Sequence, residues 1–323
     1  MMHDVILIIG ANGQIGNALV PYLQQNYGYE RVILSDITPL NPSIGIVEAF
    51  DATDATALVQ VIKKYKVTQI YHLAAILSAK GELDPLWAWD LNMQSMLNVF
   101  EAARHNGVQK VFMPSSIAVF GSSAAKINTP QMAYLDPSTV YGVSKAAAEN
   151  WNNYYFIKYK LDIRSIRYPG VISYQSMPGG GTTDYAVEMY HRAVLKESYT
   201  CFLKPETKLP MIYIDDVIRA TLELMEAEGD SIKTRTSYNL SGMSFNPSEL
   251  EFAIKKHCPD FKLGYLPDFR QVIADSWPKS IDDSEAQHQW GWKPSFDLTK
   301  MTEAMLSQLT RKYNLVGLNQ DKV

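Results

Sequence analysis

Tyr141 and Lys145 stand four residues apart at the start of a segment whose pattern predicts a helix over roughly 141–159. Residues at that spacing share one helix face, one turn apart. A free phenol titrates near pH 10 and is a poor base at neutral pH. A neighbouring ammonium favours the phenolate and lowers that value. Tyr141 could then take the proton of a hydroxyl while hydride leaves the same carbon. Ser116, just beyond the apolar run Val111–Met113, offers a second hydroxyl to hold the reacting oxygen. A tyrosine and a lysine at this spacing also recur by chance. Their meaning comes from what surrounds them: a Ser-rich strand end, a cap-like Pro137-Ser138-Thr139, and a glycine-rich turn far upstream.

That turn is Gly10-Ala11-Asn12-Gly13-Gln14-Ile15-Gly16, between an apolar run and a helical pattern. In such a turn Gly10 permits the tight bend, Gly13 lets a pyrophosphate approach the backbone, and Gly16 lets the helix pack on the sheet. The helix N-terminus presents free amides and its positive dipole end to phosphate. Asp36 closes the second apolar run, where a carboxylate accepts the adenosine ribose hydroxyls and repels the extra phosphate of NADP. No arginine follows it, so NAD is the expected cofactor. Gln14 and Ile15, and Leu73, Ala74 and Ala75 after the fourth run, are placed along it; the small alanines read equally as packing. Asp51-Ala52 is read either as meeting the adenine or, for Asp51, as capping a helix. Asn92 is expected to anchor its helix beside the site.

The elements that position these residues alternate. Val5–Ile9, Val32–Leu34, Gln69–Leu73, Val111–Met113 and Ile163–Ile166 are continuous apolar runs, the pattern of strands buried on both faces of a parallel sheet. Helices are predicted between them at Gln14–Gln25, after Thr53-Asp54, and at Pro85–His105. The expected fold is α/β, a doubly wound, mostly parallel Rossmann-like sheet with a smaller C-terminal lobe. The division expected is 1–172 for a nucleotide-binding domain, completed in part by 211–240, and 173–323 mainly for substrate. In that lobe Pro178-Gly179-Gly180-Gly181 reads as a loop, and helices are expected at Tyr185–Leu195, Asp215–Met225, from Asn246-Pro247, and at Leu298–Tyr313, with a strand at Leu209–Ile214. Tyr265–Pro278 resists assignment.

The remaining composition excludes more than it points to. A net charge of -4 from 30 basic and 34 acidic residues gives no basic face for nucleic acid. No apolar run is long enough to span a membrane. Cys201 and Cys258 are too few for a disulfide scaffold and lie outside any metal-ligand spacing, so no metal is expected. The apolar run that begins at Val5 flows straight into the glycine turn rather than into a cleavage site, and a cytoplasmic protein is expected. Asp215-Asp216 reads as helix capping rather than a metal site, and His72 and His288 receive no catalytic role.

With the glycine turn, Ser116, Tyr141 and Lys145 in these positions, the chain resembles the extended short-chain dehydrogenase/reductase family. The resemblance implies that Tyr141, Lys145 and Ser116, rather than Ser115, are catalytic, and that the lysine contacts the nicotinamide ribose. It places Tyr168, in Arg167-Tyr168-Pro169-Gly170, behind the nicotinamide. Within the family, longer strings resemble the short-chain L-threonine 3-dehydrogenases: Tyr71 to Glu82, Pro114 to Gly121, Pro178 to Ala186, Pro267 to Gln271 and Ala274 to Pro278. That resemblance implies oxidation of the L-threonine β-hydroxyl to L-2-amino-3-oxobutyrate, with Ser78, Thr182, Thr183 and Trp277 around the substrate. Thr182-Thr183 also reads as a helix cap and Trp277 as core; Asp184 reads better as favouring the next helix than as a substrate contact. Bulky residues on the two long helices (Trp87, Trp89, Met93, Met96, Val99 and Phe100; Trp151, Tyr154, Tyr155 and Ile157) are read as core in part, and the family implies a homodimer through a four-helix bundle. The rival reading is a nucleotide-sugar epimerase, for which the second lobe shows no arginine cluster.

Overall fold

The computed structural model describes residues 4–177 and 179–320; Pro178, first of the expected loop, lies outside the described residues. In chain order the first half comprises β1 (Ile6–Ile9), α1 (Gln14–Tyr27), β2 (Val32–Ser35), β3 (Ile46–Val47), α2 (Ala55–Tyr65), β4 (Gln69–His72), α3 (Ser78–Gly81), α4 (Pro85–His105), β5 (Lys110–Phe112), β6 (Ser115–Ser116), α5 (Val140–Tyr159), β7 (Asp162–Arg164), β8 (Ile166–Tyr168) and β9 (Gly170–Ile172). The second half adds α6 (Tyr185–Val194), β10 (Tyr199–Cys201), β11 (Leu209–Tyr213), α7 (Ile214–Glu226), β12 (Tyr238–Asn239), β13 (Met243–Phe245), α8 (Pro247–Lys255), β14 (Leu263–Tyr265), α9 (Arg270–Ser276), α10 (Ser284–Trp290) and α11 (Leu298–Gln320).

The main sheet has the order β3-β2-β1-β4-β5-β7, and every pairing in it is parallel. Alternate residues of β1 feed different cores: Ile6 and Ile8 join the cluster that includes Leu19 and Leu23 of α1, while Leu7 and Ile9 join the one that includes Leu58 of α2 and Phe100 of α4. Helices therefore cover both faces, the doubly wound arrangement the unbroken apolar runs require. The strand order reverses between β1 and β4, which opens a crevice at their carboxyl ends.

Local chemistry sets the helix starts. Asp54 caps α2 through the Thr56 and Ala57 amides. Asp84 accepts from Trp87, with Pro85 at the first position of α4. Asn246 and Glu249 form a reciprocal capping box on α8, each pattern satisfying otherwise unpaired amides.

Four details depart from the sequence reading. The run expected as one strand at 163–166 is two, β7 and β8, broken at Ser165. Ser116 does not end β5; Ser115–Ser116 form their own strand, β6, paired with β8 and outside the six-stranded sheet. The unassigned region begins on the last residue of β14 and contains a helix, α9. Asp216 also does not cap its own helix: it accepts the Ser295 and Phe296 amides and binds Arg219. Among the described residues no group of three potential ligands gathers as a metal site, and no helix is long and apolar enough to cross a membrane.

The turn after β1 leaves no room for a side chain at its first residue. Gly10 has φ +87°, and a Cβ there would lie 2.6 Å from the Ala74 amide nitrogen. Gly10→Ala is expected to lower the unfolding free energy by about 1–3 kcal/mol, the range for one strained backbone residue, measured by urea denaturation. An unchanged midpoint would show that the turn relaxes freely.

Candidate active site

The glycine turn hangs from β2 through the Gly10 and Ala11 amides, which both donate to the Ser35 carbonyl. Gly16 is fixed by the turn itself, since a Cβ there would sit 2.3 Å from the Gly10 carbonyl oxygen. Gly13 is the N-cap of α1, and no side chain caps the helix. Its first amides are thus left to solvent or to an anion. The Gln14 amide reaches across to the Val171 carbonyl, tying the turn to β9.

From this turn two cavities run side by side, sharing Leu73 and Ala75. One, of about 240 Å³, is lined by Gly10, Gly13, Asp36, Asp51, Ala52, Leu73, Ala74 and Ala75. The Asp36 carboxylate accepts from the Asn12 amide at 3.0 Å and from both the amide and hydroxyl of Thr38. Asp51 accepts from the Thr53 amide and hydroxyl, so it closes the turn before α2 while Asp54 is the cap. The other cavity, of about 150 Å³, brings together Gln14, Ile15, Ser116, Tyr141, Lys145 and Tyr168 from the first half with Ser78, Thr182, Thr183 and Trp277. A larger cavity of about 920 Å³ lies between the end of α6, the segment that follows α8 and α11, and contains none of these residues.

Helix α5 sets Tyr141 and Lys145 because its first turn is doubly held. Thr139 accepts the Gly142 amide, and Glu82 accepts the Val140 amide at 2.8 Å. Gly142 is obligatory, since a Cβ would fall 2.2 Å from the Ala118 carbonyl oxygen. Tyr141 keeps an accessible edge on the cavity, yet burial pushes its phenol up to about 12, with the neighbouring Ser116 hydroxyl pulling the other way. The lowering by lysine that the spacing suggested is not what governs the phenol. The Lys145 ammonium lies 5.7 Å from the phenol ring centroid and donates to the Pro114 carbonyl at 2.7 Å. Burial pushes Lys145 down to about 8, opposed by the charge of Glu149 one turn further along. Glu149 is held in turn by Arg167, in a fully buried ion pair, and by the Ser115 hydroxyl. Ser115 and Ser116 both line the cavity, but the Ser115 hydroxyl is committed to Glu149.

The remaining expected residues fall around this centre. The Asn92 amide is spent on both backbone groups of Ile76 and on Ser144, so it holds the chain leaving β4 against α5. Tyr168 is buried, its hydroxyl bonded to Thr221 and its flank on the cavity. Ser78 and Thr182 are both buried with their hydroxyls 3.2 Å apart. Thr183 packs on Gly170. Trp277 is core by burial and cavity wall by position, and its indole N–H has no partner among the described residues. Asp184 is the N-cap residue of α6 and lines the cavity, and its carboxylate accepts the Gly180 and Gly181 amides at 2.8 and 2.6 Å, folding the glycine loop back. The sequence reading missed Pro114, because a backbone carbonyl leaves no signature. It also missed Glu149, although the spacing 141, 145, 149 places all three on one face.

His72, behind Lys145, is fully buried, and burial and the lysine charge push it down to about 3 from its ordinary 6.5. Between those values the unfolded chain holds the extra proton, so stability falls as pH falls below 6.5. The slope from this one group is up to about 1.4 kcal/mol per pH unit. His72→Gln is expected to reduce the loss of stability between pH 5.5 and 4.5 by about 1 kcal/mol, read from urea unfolding. A parallel pair of curves would show that His72 titrates normally.

Known proteins resemble this chain in sequence and fold. Residues 6–241 match the NAD dependent epimerase/dehydratase family. The chain is 50% identical to the L-threonine dehydrogenase of Cupriavidus necator in its holo form, over 95% of this chain and 100% of that one, with a TM-score of 0.93. It is 44% identical to the L-threonine dehydrogenase of Clostridium difficile, over 97% and 99% of the two chains, again with a TM-score of 0.93. An uncharacterized epimerase/dehydratase of Staphylococcus haemolyticus is 46% identical over 95% of this chain and 98% of its own. With its glycine turn, its Tyr141–Lys145 pair and these relatives taken together, the chain belongs to the NAD dependent epimerase/dehydratase family, within the extended short-chain dehydrogenase/reductases that its motifs resemble.

Proposed function

We propose that this protein oxidises L-threonine at its β-hydroxyl carbon with NAD+, giving L-2-amino-3-oxobutyrate and NADH. The observation that carries the reading is the smaller cavity, where Tyr141, Ser116 and Lys145 face Ser78, Thr182, Thr183 and Trp277. Its small volume and hydroxyl-rich wall suit an amino acid rather than a nucleotide sugar.

The residues present fit NAD. The crowding at Gly10 and the uncapped start of α1 make a cradle for the pyrophosphate, with Gln14, Ile15 and Gly16 beside it. Asp36 has lone pairs to offer the ribose hydroxyls and would oppose the phosphate of NADP. Asp51 and Ala52, with Leu73, Ala74 and Ala75, would line the adenosine end, and Tyr168 the nicotinamide end. Asn92 supports this wall through Ile76. When bound, NAD+ supplies the hydride acceptor. In the protein, Ser116 donates to the substrate oxygen and Tyr141 receives its proton. A phenol held near 12 needs nearby positive charge to do so, and Lys145, fixed on the Pro114 carbonyl, is placed to supply it. Ser78, Thr182 and Thr183 would take the substrate carboxylate, and Trp277 closes the wall.

We assign residues 1–172, with help from 211–240, to the nucleotide and 173–323 mainly to the substrate. The cytoplasm suits two unpaired cysteines.

The test is NADH absorbance from enzyme, NAD+ and L-threonine. Tyr141→Phe should reduce kcat by about 10²–10⁴-fold, the usual weight of a general base, and leave NAD affinity intact. Turnover of a nucleotide sugar without net NAD reduction would support an epimerase instead, and indifference to Tyr141→Phe a non-catalytic NAD-binding protein.

We also infer a homodimer through α4 and α5. Met93, Met96, Val99, Phe100 and Tyr155 are core, but Leu86, Trp87, Val143, Tyr154 and Ile157 remain exposed on these two helices. Sedimentation should give the mass of two chains and Ile157→Glu the mass of one; a monomeric wild type would overturn the assignment.

A further inference from the structure

Trp277 belongs by sequence to the second lobe, yet its backbone is fastened to the first. The Lys126 ammonium lies 2.6 Å from the Ser276 carbonyl oxygen, 3.3 Å from that of Asp275, 3.4 Å from that of Trp277 and 3.4 Å from that of Gly121. These three successive carbonyls end α9, and a lysine there satisfies acceptors that the helix leaves unpaired. The fastening continues on both sides. The Ser138 and Ser276 hydroxyls are 2.9 Å apart, next to the start of α5. The Lys279 and Ser280 amides donate to the Lys126 carbonyl, the Thr129 amide to Ser280, and the Asp282 amide to Thr129. The Asn128 amide donates to the Ser280 hydroxyl.

We infer that Lys126 is a positioning residue for the substrate pocket: its ammonium clamps the end of α9 onto the first domain and so sets the Trp277 indole as the wall opposite Tyr141. The inference rests on the proposed reading of that cavity as the substrate site. Lys126 touches neither substrate nor cofactor cavity and is only half-buried. The residue it holds is 6% exposed and carries the unpaired indole N–H. A neutral side chain at 126 would leave the α9 carbonyls without their cation and release the wall, while the glycine turn and the start of α5, held by other bonds, stay in place.

The experiment compares wild type, Lys126→Met, Lys126→Arg and Trp277→Phe, with the double variant of Lys126→Met and Trp277→Phe. Without substrate, acrylamide quenching of the Trp277 emission, taken as the difference from the matching Trp277→Phe protein, should rise in Lys126→Met and return towards wild type in Lys126→Arg. With substrate, Lys126→Met should raise KM for L-threonine about tenfold, keep kcat within about twofold and leave NAD affinity unchanged, and in the Trp277→Phe background it should add less than about twofold. If Lys126→Met does not fold, Ser138→Ala, which removes only the hydroxyl tether, should raise the same KM about two- to threefold. Unchanged quenching and KM, or an effect of the same size without Trp277, would overturn the inference. A wild type inert towards L-threonine overturns the proposed substrate instead, and quenching still decides the role of Lys126.

Discussion

The turn leaving β1 passes the chain leaving β4 so closely that no side chain fits between them. That contact, Gly10 against Ala74, fixes where both cavities begin, because the same two segments diverge from it. The turn is hung on β2 by Ser35 and braced on β9 by Gln14, while the chain after β4 is braced on α4 by Asn92. Parallel strands buried on both faces cannot slide without exposing core, so the divergence point is rigid. A cofactor bound along it would meet a preformed surface.

The electrostatics of the site follow from burial rather than from simple pairing. Tyr141 and Lys145 are each pushed towards their neutral forms, the phenol up and the ammonium down. Ser116 opposes the shift of the phenol and Glu149 that of the lysine, and Glu149 draws its own support from Arg167. Arg167 also donates to the Gln131 carbonyl and the Asn239 side chain. A buried ion pair gains little stability on its own, and breaking one side of it costs several kcal/mol. Here the pair sits directly beneath the lysine and connects α5 to β8 and to the loop before α5.

Much of this was legible in the residues. The apolar runs marked β1, β2, β4 and β5, and the helices expected from Pro85 and from Asn246-Pro247 start where the structure starts them. The chemistry-bearing spacing of Tyr141, Lys145 and Ser116 was readable because side chains carry it. What could not be read is carried by the backbone or by long-range contact. Pro114 acts through its carbonyl, β6 exists only because β8 lies beside it, and Asp184 finds two amides in a loop whose bend the sequence does not specify. Asp216 looked like a cap because of its place at a helix start, but the two amides it accepts lie about eighty residues away.

The pairing of β12 with β8 and of β11 with β9 has a consequence for how such a chain can be inherited. A gene fragment ending near residue 172 would encode β9 without a partner strand and β8 paired with β6 on one side but open on the other. Bare edges of that kind recruit other chains. The two halves therefore cannot be exchanged by recombination at the point where their roles divide. A new substrate lobe has to bring its own β11 and β12, already matched in register to the strands of the host.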